Sequence, residues 1–218
     1  MVKYLTFDCY GTLIDWKTGI GSALRKNLGD LRIGDDDLMA AYLQAERAEE
    51  ETYKSYRDVL SGSATRLSAK LGVPLPSGAA REFAASVPDW PAFKDTRESL
   101  RALGSMGFRR YILSNVDDDL LEETIARHGL EVDGFVSAQQ VGSYKPRPGH
   151  WEEFLRRTGA SKGDLLHVAQ SIYHDVIPVG KMGIQSAWVN RYGEPLPPEA
   201  NPEYVSDSLA GLVQALSP

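Results

Sequence analysis

The stretch Phe7-Asp8-Cys9-Tyr10-Gly11-Thr12-Leu13 (FDCYGTL, residues 7–13) decides how the rest of the chain is interpreted. It closes a short apolar run from Lys3 to Phe7, whose β-prone residues predict a buried strand. Asp8 stands at the end of that strand, and Gly11 predicts a turn directly after it. A buried strand that ends in an acid either caps the following turn or delivers a carboxylate to a site. The motifs in the remainder of the chain distinguish between these two interpretations.

The composition is that of an ordinary folded protein. Of 218 residues, 42% are hydrophobic and 25% are charged, a balance that argues against disorder. The net charge of −6 offers no basic surface of the kind that nucleic-acid-binding proteins use, so we expect no nucleic-acid partner. Cys9 is the only cysteine, which is typical of a reducing compartment. With no resemblance to a signal peptide and no membrane-length apolar run, the sequence predicts a cytoplasmic protein without a membrane partner.

Residues 15–92 differ in character from the strand before them. Apolar residues recur at helical spacing at Ile20, Leu24 and Leu28, and again from Leu38 to Ala45. This periodicity predicts three to five helices, several of them amphipathic, and no strand.

After residue 93, predicted strands and helices alternate. The predicted strands cover residues 109–114, 134–138, 164–169 and 184–190. The predicted helices cover residues 95–106, 118–128, 149–158, 175–183 and 206–216. Such alternation predicts an α/β fold with a parallel sheet flanked by helices. Because the first strand belongs to the same sheet, we expect a three-layer, Rossmann-like core domain of residues 1–14 and 93–218, with residues 15–92 inserted after the first strand as a helical domain.

Polar residues gather where the predicted strands end. In open parallel sheets, ligands bind outside the carboxyl ends of the strands. The residues at or near these ends are Asp8, Ser114, Asn115, Lys145, Gln170, Ser171 and Asp175. Each alone has an ordinary explanation, such as a turn cap, a helix start or a solvated lysine. Their convergence on one edge favours a site that combines two carboxylates, an ammonium, hydroxyls and amides.

Four motifs, in order along the chain, resemble those of the haloacid dehalogenase superfamily. They are DCYGTL (8–13), SN (114–115), YKP (144–146) and HD (174–175). The helical segment after the first strand resembles the cap domain of the cap-bearing branch, so the resemblance covers essentially the whole chain. Within the superfamily, FDCYGTLIDW is similar to the type II L-2-haloacid dehalogenases. SYKP and SIYHD also resemble the hydrolase that opens azetidine-2-carboxylate.

Two positions depart from the phosphatase branch of that superfamily. Phosphatases normally carry Asp-x-Asp, whose second acid protonates the leaving group, whereas this chain has Tyr10. They also place an aspartate that binds magnesium where this chain has Gln170. A neutral amide is a weaker anchor for a hard cation than a carboxylate is. A magnesium-dependent phosphatase is therefore the disfavoured alternative, and we expect neither a metal nor a cofactor.

The resemblance implies a hydrolase of small 2-substituted carboxylic acids that works through an ester on Asp8. Asp8 would displace a halide at C2, and water would then attack the Asp8 carbonyl carbon, releasing a 2-hydroxy acid of inverted configuration. The Lys145 ammonium is expected to lower the pKa of Asp8, and Asp175 to position or deprotonate the water. Thr12, with the hydroxyl and amide at 114–115, would orient Asp8 and bind the substrate carboxylate. Opening of azetidine-2-carboxylate and a non-enzymatic role of the fold are the open alternatives.

The resemblance also suggests which residues line the substrate pocket: Cys9, Tyr10, Trp16, Arg47, Ser114, Asn115, Trp151, Gln170, Ser171 and His174. Arg47 is the candidate to hold the leaving halide, although an arginine in so charged a stretch is more often solvated. Trp151 stands where the family has a tyrosine. Cys9 alternates away from Asp8 along the chain, which favours packing. Gln170 or His174 would replace the family's water-positioning amide, because Ile172 stands at its position.

The expected partner is a small-molecule carboxylate. Many relatives in the superfamily dimerise, so a homodimer is one alternative, but no feature of the sequence specifies the oligomeric state. His167 lies in a predicted strand and is expected in the core, and the histidines show no metal-ligand spacing.

Overall fold

The structure is a computed structural model that describes residues 2–29 and 31–217. Its sheet has six parallel strands in the order β3-β2-β1-β4-β5-β6. The strands are β1 (Tyr4–Phe7), β2 (Arg109–Ser114), β3 (Gly134–Ser137), β4 (Leu165–Ala169), β5 (Gln185–Val189) and β6 (Tyr204–Ser206). β1 lies in the middle, with Phe7 level with Ile112 of β2 and Val168 of β4. The strand order reverses beside β1, which is where open α/β sheets bind their ligands.

Ten α-helices accompany the sheet in the described part of the chain. Five lie between β1 and β2 without a strand among them, and the first four of these are α1 (Trp16–Leu28), α2 (Asp35–Glu49), α3 (Tyr56–Leu71) and α4 (Ala79–Ala85). The others are α5 (Thr96–Ser105), α6 (Asp118–His128), α7 (Ala138–Val141), α8 (Gly149–Thr158), α9 (Ile177–Lys181) and α10 (Leu209–Leu216). Short 3₁₀ turns at Val87–Asp89 and Lys162–Asp164 and a π-helix at Ile172–Val176 complete the elements. None of the helices in the described ranges is both long and apolar enough to cross a membrane.

Burial explains why these segments fold as they do. All five residues of β4 are buried, as expected for a parallel strand that is covered on both faces. On α2, Leu38 and Tyr42 are buried one helical turn apart, and the Tyr42 ring packs edge-on against Phe83 of α4 at 5.8 Å. These residues share one apolar cluster with Phe7 of β1, so the helices α1–α4 and the sheet are packed into a continuous core.

The chain leaves the sheet for α1–α4 and returns at the same place. Ile14 and Ala92 form an isolated antiparallel bridge. Beside it, the Asp15 N–H donates to the carbonyl of Pro91 at 2.8 Å. The two ends of the helical segment are thus adjacent. The division into domains at residues 15–92 stays a prediction.

The parallel sheet with its helices confirms the predicted Rossmann-like α/β class, with local differences. The predicted strand 134–138 ends at Ser137, whose hydroxyl accepts from the Gln140 N–H and starts α7. The helix predicted from residue 175 begins earlier, as the π-helix that Ser171 caps through the His174 N–H. The predicted helix 206–216 starts only at Leu209, since β6 occupies 204–206. β6 was not predicted because three residues are too few to show a period of two.

Candidate active site

Asp8 lies immediately after β1, at the carboxyl edge of the sheet. Its N–H donates to the Val168 carbonyl of β4 at 3.0 Å, which continues the sheet pairing by one residue. The chain then turns sharply, and the N–H groups of Leu13 and Ile14 both donate back to the Cys9 carbonyl. Gly11 makes this turn with a φ of +109°, a conformation that favours glycine. The turn holds the Asp8 carboxylate at the floor of a cavity.

Lys145 joins two buried carboxylates from different parts of the chain. Its Nζ donates to Asp8 Oδ1 at 2.8 Å, to Asp175 Oδ1 at 2.7 Å and to the Leu113 carbonyl at 2.9 Å. Asp8 is 7% exposed, Lys145 3% and Asp175 0%. All three ammonium hydrogens therefore have acceptors, which is the condition under which a buried charge is tolerated.

The second oxygen of Asp8 is fixed by Thr12. The Thr12 hydroxyl donates to Asp8 Oδ2 at 2.9 Å and accepts from the Gln170 N–H at 2.9 Å. Gln170 follows β4 directly, so this contact ties the loop after β1 to the loop after β4. Both carboxylate oxygens of Asp8 are thereby oriented before any ligand arrives, and such preorganisation is what a nucleophile requires.

Asn115 holds the loop that carries Lys145. The Asn115 side chain accepts from the Lys145 N–H at 2.7 Å and donates to the Lys145 carbonyl at 3.1 Å. This paired contact fixes the backbone of Lys145 against the end of β2. Asn115 thus positions the ammonium, and its amide contacts leave it less free to bind substrate than the sequence suggested.

The charges in this site shift one another's pKa. Burial raises the pKa of Asp8 above its ordinary value; the Lys145 ammonium opposes that rise and Asp175 adds to it. The expected lowering by Lys145 is thus present as one contribution, while burial sets the net direction. Burial alone would raise the pKa of Asp175 too, but Lys145 and His167 outweigh it and hold that pKa below its usual range. Asp175 is thus the more strongly ionised of the two acids.

His167 is a site residue that the sequence analysis assigned only to the core. It is buried in β4, and its Nε2 lies 2.9 Å from Asp175 Oδ1, while its Nδ1 lies 2.8 Å from Thr6 Oγ1. Because Asp175 is ionised, Nε2 donates to it and Nδ1 accepts from the threonine hydroxyl. The chain Thr6–His167–Asp175 fixes the carboxylate orientation. Asp175 Oδ2 is buried without a hydrogen-bond partner among the described residues.

A cavity of about 150 Å³ opens above these groups. Ten of the residues predicted for the site line it: Asp8, Tyr10, Trp16, Ser114, Asn115, Lys145, Gln170, Ser171, His174 and Asp175. Ser114 Oγ, like Asp175 Oδ2, is buried and has no partner in the described chain. Burial lowers the pKa of His174, which leaves the imidazole neutral at physiological pH. Two of the residues that line the cavity with Asp8 thus each carry a buried oxygen without a described hydrogen-bond partner.

Tyr10 faces the cavity with its ring rather than with its hydroxyl. Its Oη donates to Thr124 Oγ1 of α6 at 2.9 Å, because the Thr124 hydroxyl itself donates to the Leu120 carbonyl. The ring packs edge-on against Trp90 at 5.7 Å. Burial also raises the pKa of Tyr10 well above its ordinary value. The position that carries an acid in phosphatases thus contributes an apolar wall.

Four predicted residues do not line the cavity. Thr12 lies behind Asp8 and acts through it, as described above. Cys9 is fully buried in the core, as the alternation along the chain favoured. Trp151 is fully buried between α8 and the sheet, where its ring packs edge-on against His167 at 5.3 Å. Arg47 lies on α2 outside the residues that line the cavity, although its charge is close enough to lower the pKa of Glu50.

The helical segment supplies cavity residues that the sequence analysis missed. Glu46 and Glu50 line the cavity at the end of α2, together with Tyr56 and Trp90. Glu46 and Glu50 follow the buried Tyr42 at intervals of four, so helical spacing from an aromatic residue could have placed them on its face. Their dense charged surroundings instead suggested a solvated face.

Replacing Gly11 by alanine is expected to lower the free energy of unfolding by roughly 1–3 kcal/mol. The positive φ disfavours any Cβ, and an added Cβ would lie 2.9 Å from Trp16 Nε1 and 3.3 Å from Gln170 Oε1. Denaturant unfolding measures the change. Gly21→Ala is the matched control, because Gly21 lies within α1 with no atom within 4 Å of an added Cβ, so alanine there should stabilise by about 1 kcal/mol. Equal effects of the two substitutions would contradict the strained turn.

Comparison with known proteins shows what the chain is similar to. The family model for haloacid dehalogenase-like hydrolases matches residues 2–177. (S)-2-haloacid dehalogenase 4A of Burkholderia cepacia is 25% identical over 224 residues, which cover 99% of this chain and 92% of that protein. Haloacetate dehalogenase H-2 of Moraxella sp. (strain B) is 25% identical over 199 residues, covering 88% and 87%.

Solved structures show the same fold. The L-2-haloacid dehalogenase from Xanthobacter autotrophicus with chloropropionic acid covalently bound superposes with a TM-score of 0.85 at 20% identity, covering 99% of this chain and 98% of that chain. The magnesium-bound putative HAD-hydrolase YfnB from Bacillus subtilis superposes with a TM-score of 0.81 at 20% identity, covering 100% and 99%. With most of its length matched by the family model, the chain belongs to the haloacid dehalogenase-like hydrolases.

Proposed function

We propose that this hydrolase displaces the 2-substituent of a small carboxylic acid through an ester on Asp8, with a 2-haloacid as the substrate. The observation that carries the proposal is the Asp8 carboxylate, held by Lys145 and Thr12 at the floor of a cavity whose neighbouring wall is Tyr10 instead of an acid. Substitution at carbon by a carboxylate needs an oriented, ionised nucleophile and no acid for an alkoxide leaving group. The 2-haloacid dehalogenases among the relatives support the same reaction class.

In the first step, an Asp8 oxygen attacks C2 from the side opposite the halide. The carbon–oxygen bond forms as the carbon–halogen bond breaks, and the halide leaves with the electron pair. The hydrogen bonds from Lys145 and Thr12 hold the carboxylate in line for this attack. The unpartnered Ser114 hydroxyl is available to bind the substrate carboxylate, while the rings of Tyr10 and Trp16 enclose the carbon chain.

In the second step, water hydrolyses the ester. Asp175 Oδ2, which is buried and has no partner among the described residues, accepts a proton from a water molecule that attacks the Asp8 carbonyl carbon. His167 keeps Asp175 oriented through the other oxygen. The Lys145 ammonium stabilises the negative charge that develops on the ester oxygen. The proton passes to the departing alkoxide, the 2-hydroxy acid leaves with inverted configuration, and Asp8 is restored with one oxygen from water.

The magnesium phosphatase alternative has less support from the residues present. The facing oxygens of Asp8 and Asp175 both accept from Lys145, so an ammonium stands between the two acids. Gln170 offers a neutral amide that donates to Glu194 at 3.1 Å. This donor set fits magnesium poorly, since that ion prefers carboxylate oxygens. Hydrolysis of p-nitrophenyl phosphate that EDTA abolishes would restore this alternative.

A single turnover in heavy-oxygen water tests the ester. With enzyme in excess over 2-chloropropionate, the label should enter the Asp8 carboxylate, and the product should carry the oxygen that Asp8 originally held. Mass spectrometry of the peptide that contains Asp8 measures the incorporation. Label found only in the product after the first turnover would mean that water attacks C2 directly and would refute the ester. Assaying 2-haloacids and azetidine-2-carboxylate in parallel identifies the leaving group.

A further inference from the structure

The cavity wall opposite the strand ends is acidic. Glu46 and Glu50 lie one helical turn apart at the end of α2, and both side chains line the cavity that contains Asp8. Residues at this spacing share one helix face. The wall therefore directs two carboxylates into the same space that the substrate occupies.

Glu46 is held in place by two tyrosines. The hydroxyls of Tyr42 and Tyr56 donate to Glu46 Oε1 at 2.8 Å and 2.9 Å. Glu46 Oε2 accepts no hydrogen bond from the described residues, and the Glu50 side chain makes none with them either. Three carboxylate oxygens of the wall are thus available to accept from a ligand.

No free lysine or arginine stands beside the wall among the described residues that line the cavity. Lys145 is the only lysine or arginine among the described residues that line the cavity, and its three hydrogens are committed to Asp8, Asp175 and the Leu113 carbonyl. Glu49, on the same helix but not among the cavity residues, shows the contrasting case, since Lys54 and Arg66 both pair with it. Among the described residues, no lysine or arginine of the cavity lining pairs with Glu46 or Glu50, and Arg47, outside the lining, is the cation whose charge lowers the pKa of both.

Without a bound cation, the surroundings of the wall favour protonated carboxyl groups over carboxylates. Burial and the neighbouring Glu46 charge raise the pKa of Glu50 to about 8, although Arg47 opposes the rise. Burial raises the pKa of Glu46 as well. A cation bound between them would lower both pKa values, because an opposite charge favours the ionised carboxylate.

Another residue of the cavity lining carries a group suited to a carboxylate. Ser114 Oγ is buried, lines the cavity and has no partner among the described residues. We propose that the cavity selects 2-substituted carboxylates that also carry a protonated amine, with Glu46 and Glu50 binding the ammonium group. This inference deepens the proposed function and rests on it for the reaction at C2.

The size of the cavity limits the size of the substrate that it can bind. A volume of about 150 Å³ equals that of an engineered protein cavity that accepts benzene, a ligand of about six heavy atoms. A three-carbon acid with one amino group is of that size. The ammonium group of such an acid would then lie close to the reacting carbon and to Asp8.

The binding of two stable 2-hydroxy acids, which resemble the product of the proposed reaction, tests whether Glu46 and Glu50 bind an ammonium group. The compounds are (R)-3-amino-2-hydroxypropanoate and (R)-2-hydroxybutanoate, which match in size and differ by an ammonium in place of a methyl group. Calorimetry with the wild-type protein near neutral pH should show that the amino compound binds about tenfold more tightly, a typical effect of a partly buried charge pair. Equal or tighter binding of the alkyl compound would overturn the inference.

Glutamine variants separate charge from hydrogen bonding. Glu50→Gln and Glu46→Gln keep the size of the side chain, and the amide oxygen introduced by Glu46→Gln can still accept from both tyrosines. The preference for the amino compound should fall below about twofold in the double variant, and Glu50→Gln alone should reduce it because Glu50 supports no other described side-chain contact. Glu49→Gln, which changes the same helix away from the cavity, should keep the full preference. A preference that survives the double variant would refute the assignment.

The two proposals fail in different ways. Binding of a hydroxy acid involves no bond to Asp8, so the calorimetry reports on the wall alone. A missing ester with an intact ammonium preference would overturn the reaction and support the acidic wall. Label in Asp8 with no ammonium preference would support the reaction and overturn the wall.

Discussion

Replacing Asp8 by asparagine is expected to reduce turnover of any substrate by about 10⁴-fold or more, the scale on which loss of a covalent nucleophile acts. Asparagine keeps the shape of the side chain, but its single oxygen can accept from Lys145 or from Thr12 and not from both, and its amide cannot form the ester. Steady-state turnover of 2-chloropropionate measures the loss. The melting temperature should change little, since the loop hydrogen bonds of the backbone around residue 8 are kept.

Asp15→Asn is the matched control for this variant. Asp15 lies in the same loop and caps α1, with its carboxylate accepting from the Thr18 N–H at 3.2 Å and the Thr18 hydroxyl at 2.7 Å. Asparagine is an equally good helix cap, so this variant should retain turnover within a few-fold of the wild type. If Asp8→Asn kept more than about a hundredth of the wild-type rate, Asp8 could not be the nucleophile.

The convergence of Asp8, Lys145 and Asp175 was predictable because a parallel sheet brings the ends of its strands to one edge. Alternating strand and helix patterns identify such a sheet, and no further detail is needed to list the polar residues at that edge. What the pattern could not give is the direction of each side chain. Asn115 contacts the backbone of Lys145, which the pattern did not indicate, and its predicted role in substrate binding stays a prediction.

Long-range contacts between buried polar groups could not be predicted from the sequence either. His167 has an apolar strand around it, which predicts burial, but its contact with Asp175 depends on how the π-helix at Ile172–Val176 folds back towards β4. That helix has no recognisable sequence period. Trp151 packs against the same histidine because α8 packs on the sheet, which motif spacing does not reveal.

The acidic cavity wall of Glu46 and Glu50 could not be predicted from the sequence for a different reason. Glu46 and Glu50 belong to a stretch with many charges, for which a solvated helix face is the ordinary outcome. Their helix places the same face towards the core at Tyr42 and towards the cavity one and two turns later. Only the packing of α2 over the strand ends distinguishes a cavity wall from a solvated face, and this packing joins residues far apart in sequence.

Lys145→Met is expected to lower turnover by about 10³-fold, because the ammonium both orients Asp8 and stabilises the charge of the second step. It should also lower the free energy of unfolding by roughly 3–5 kcal/mol, because it leaves two buried carboxylates without a cation.

The pH dependence of stability should also reverse. In the wild type, the depressed pKa of Asp175 contributes stability that is lost as the pH falls below the ordinary pKa of an aspartate. In the variant, mutual repulsion raises an Asp pKa, so stability should instead increase as pH falls from neutrality towards about 4. Denaturant unfolding across this pH range measures the reversal.

Two further variants make the Lys145 result decisive. Lys145→Met combined with Asp175→Asn removes one of the repelling charges, so most of the stability should return while turnover stays low, because no carboxylate then accepts the proton of the attacking water. Lys181→Met, an exposed lysine at the end of α9, should change stability by no more than about 0.5 kcal/mol. A single Lys145→Met variant with the stability and pH dependence of the wild type would show that the two carboxylates do not depend on the ammonium. In that case the ammonium could not be what keeps Asp8 and Asp175 ionised together in one buried site.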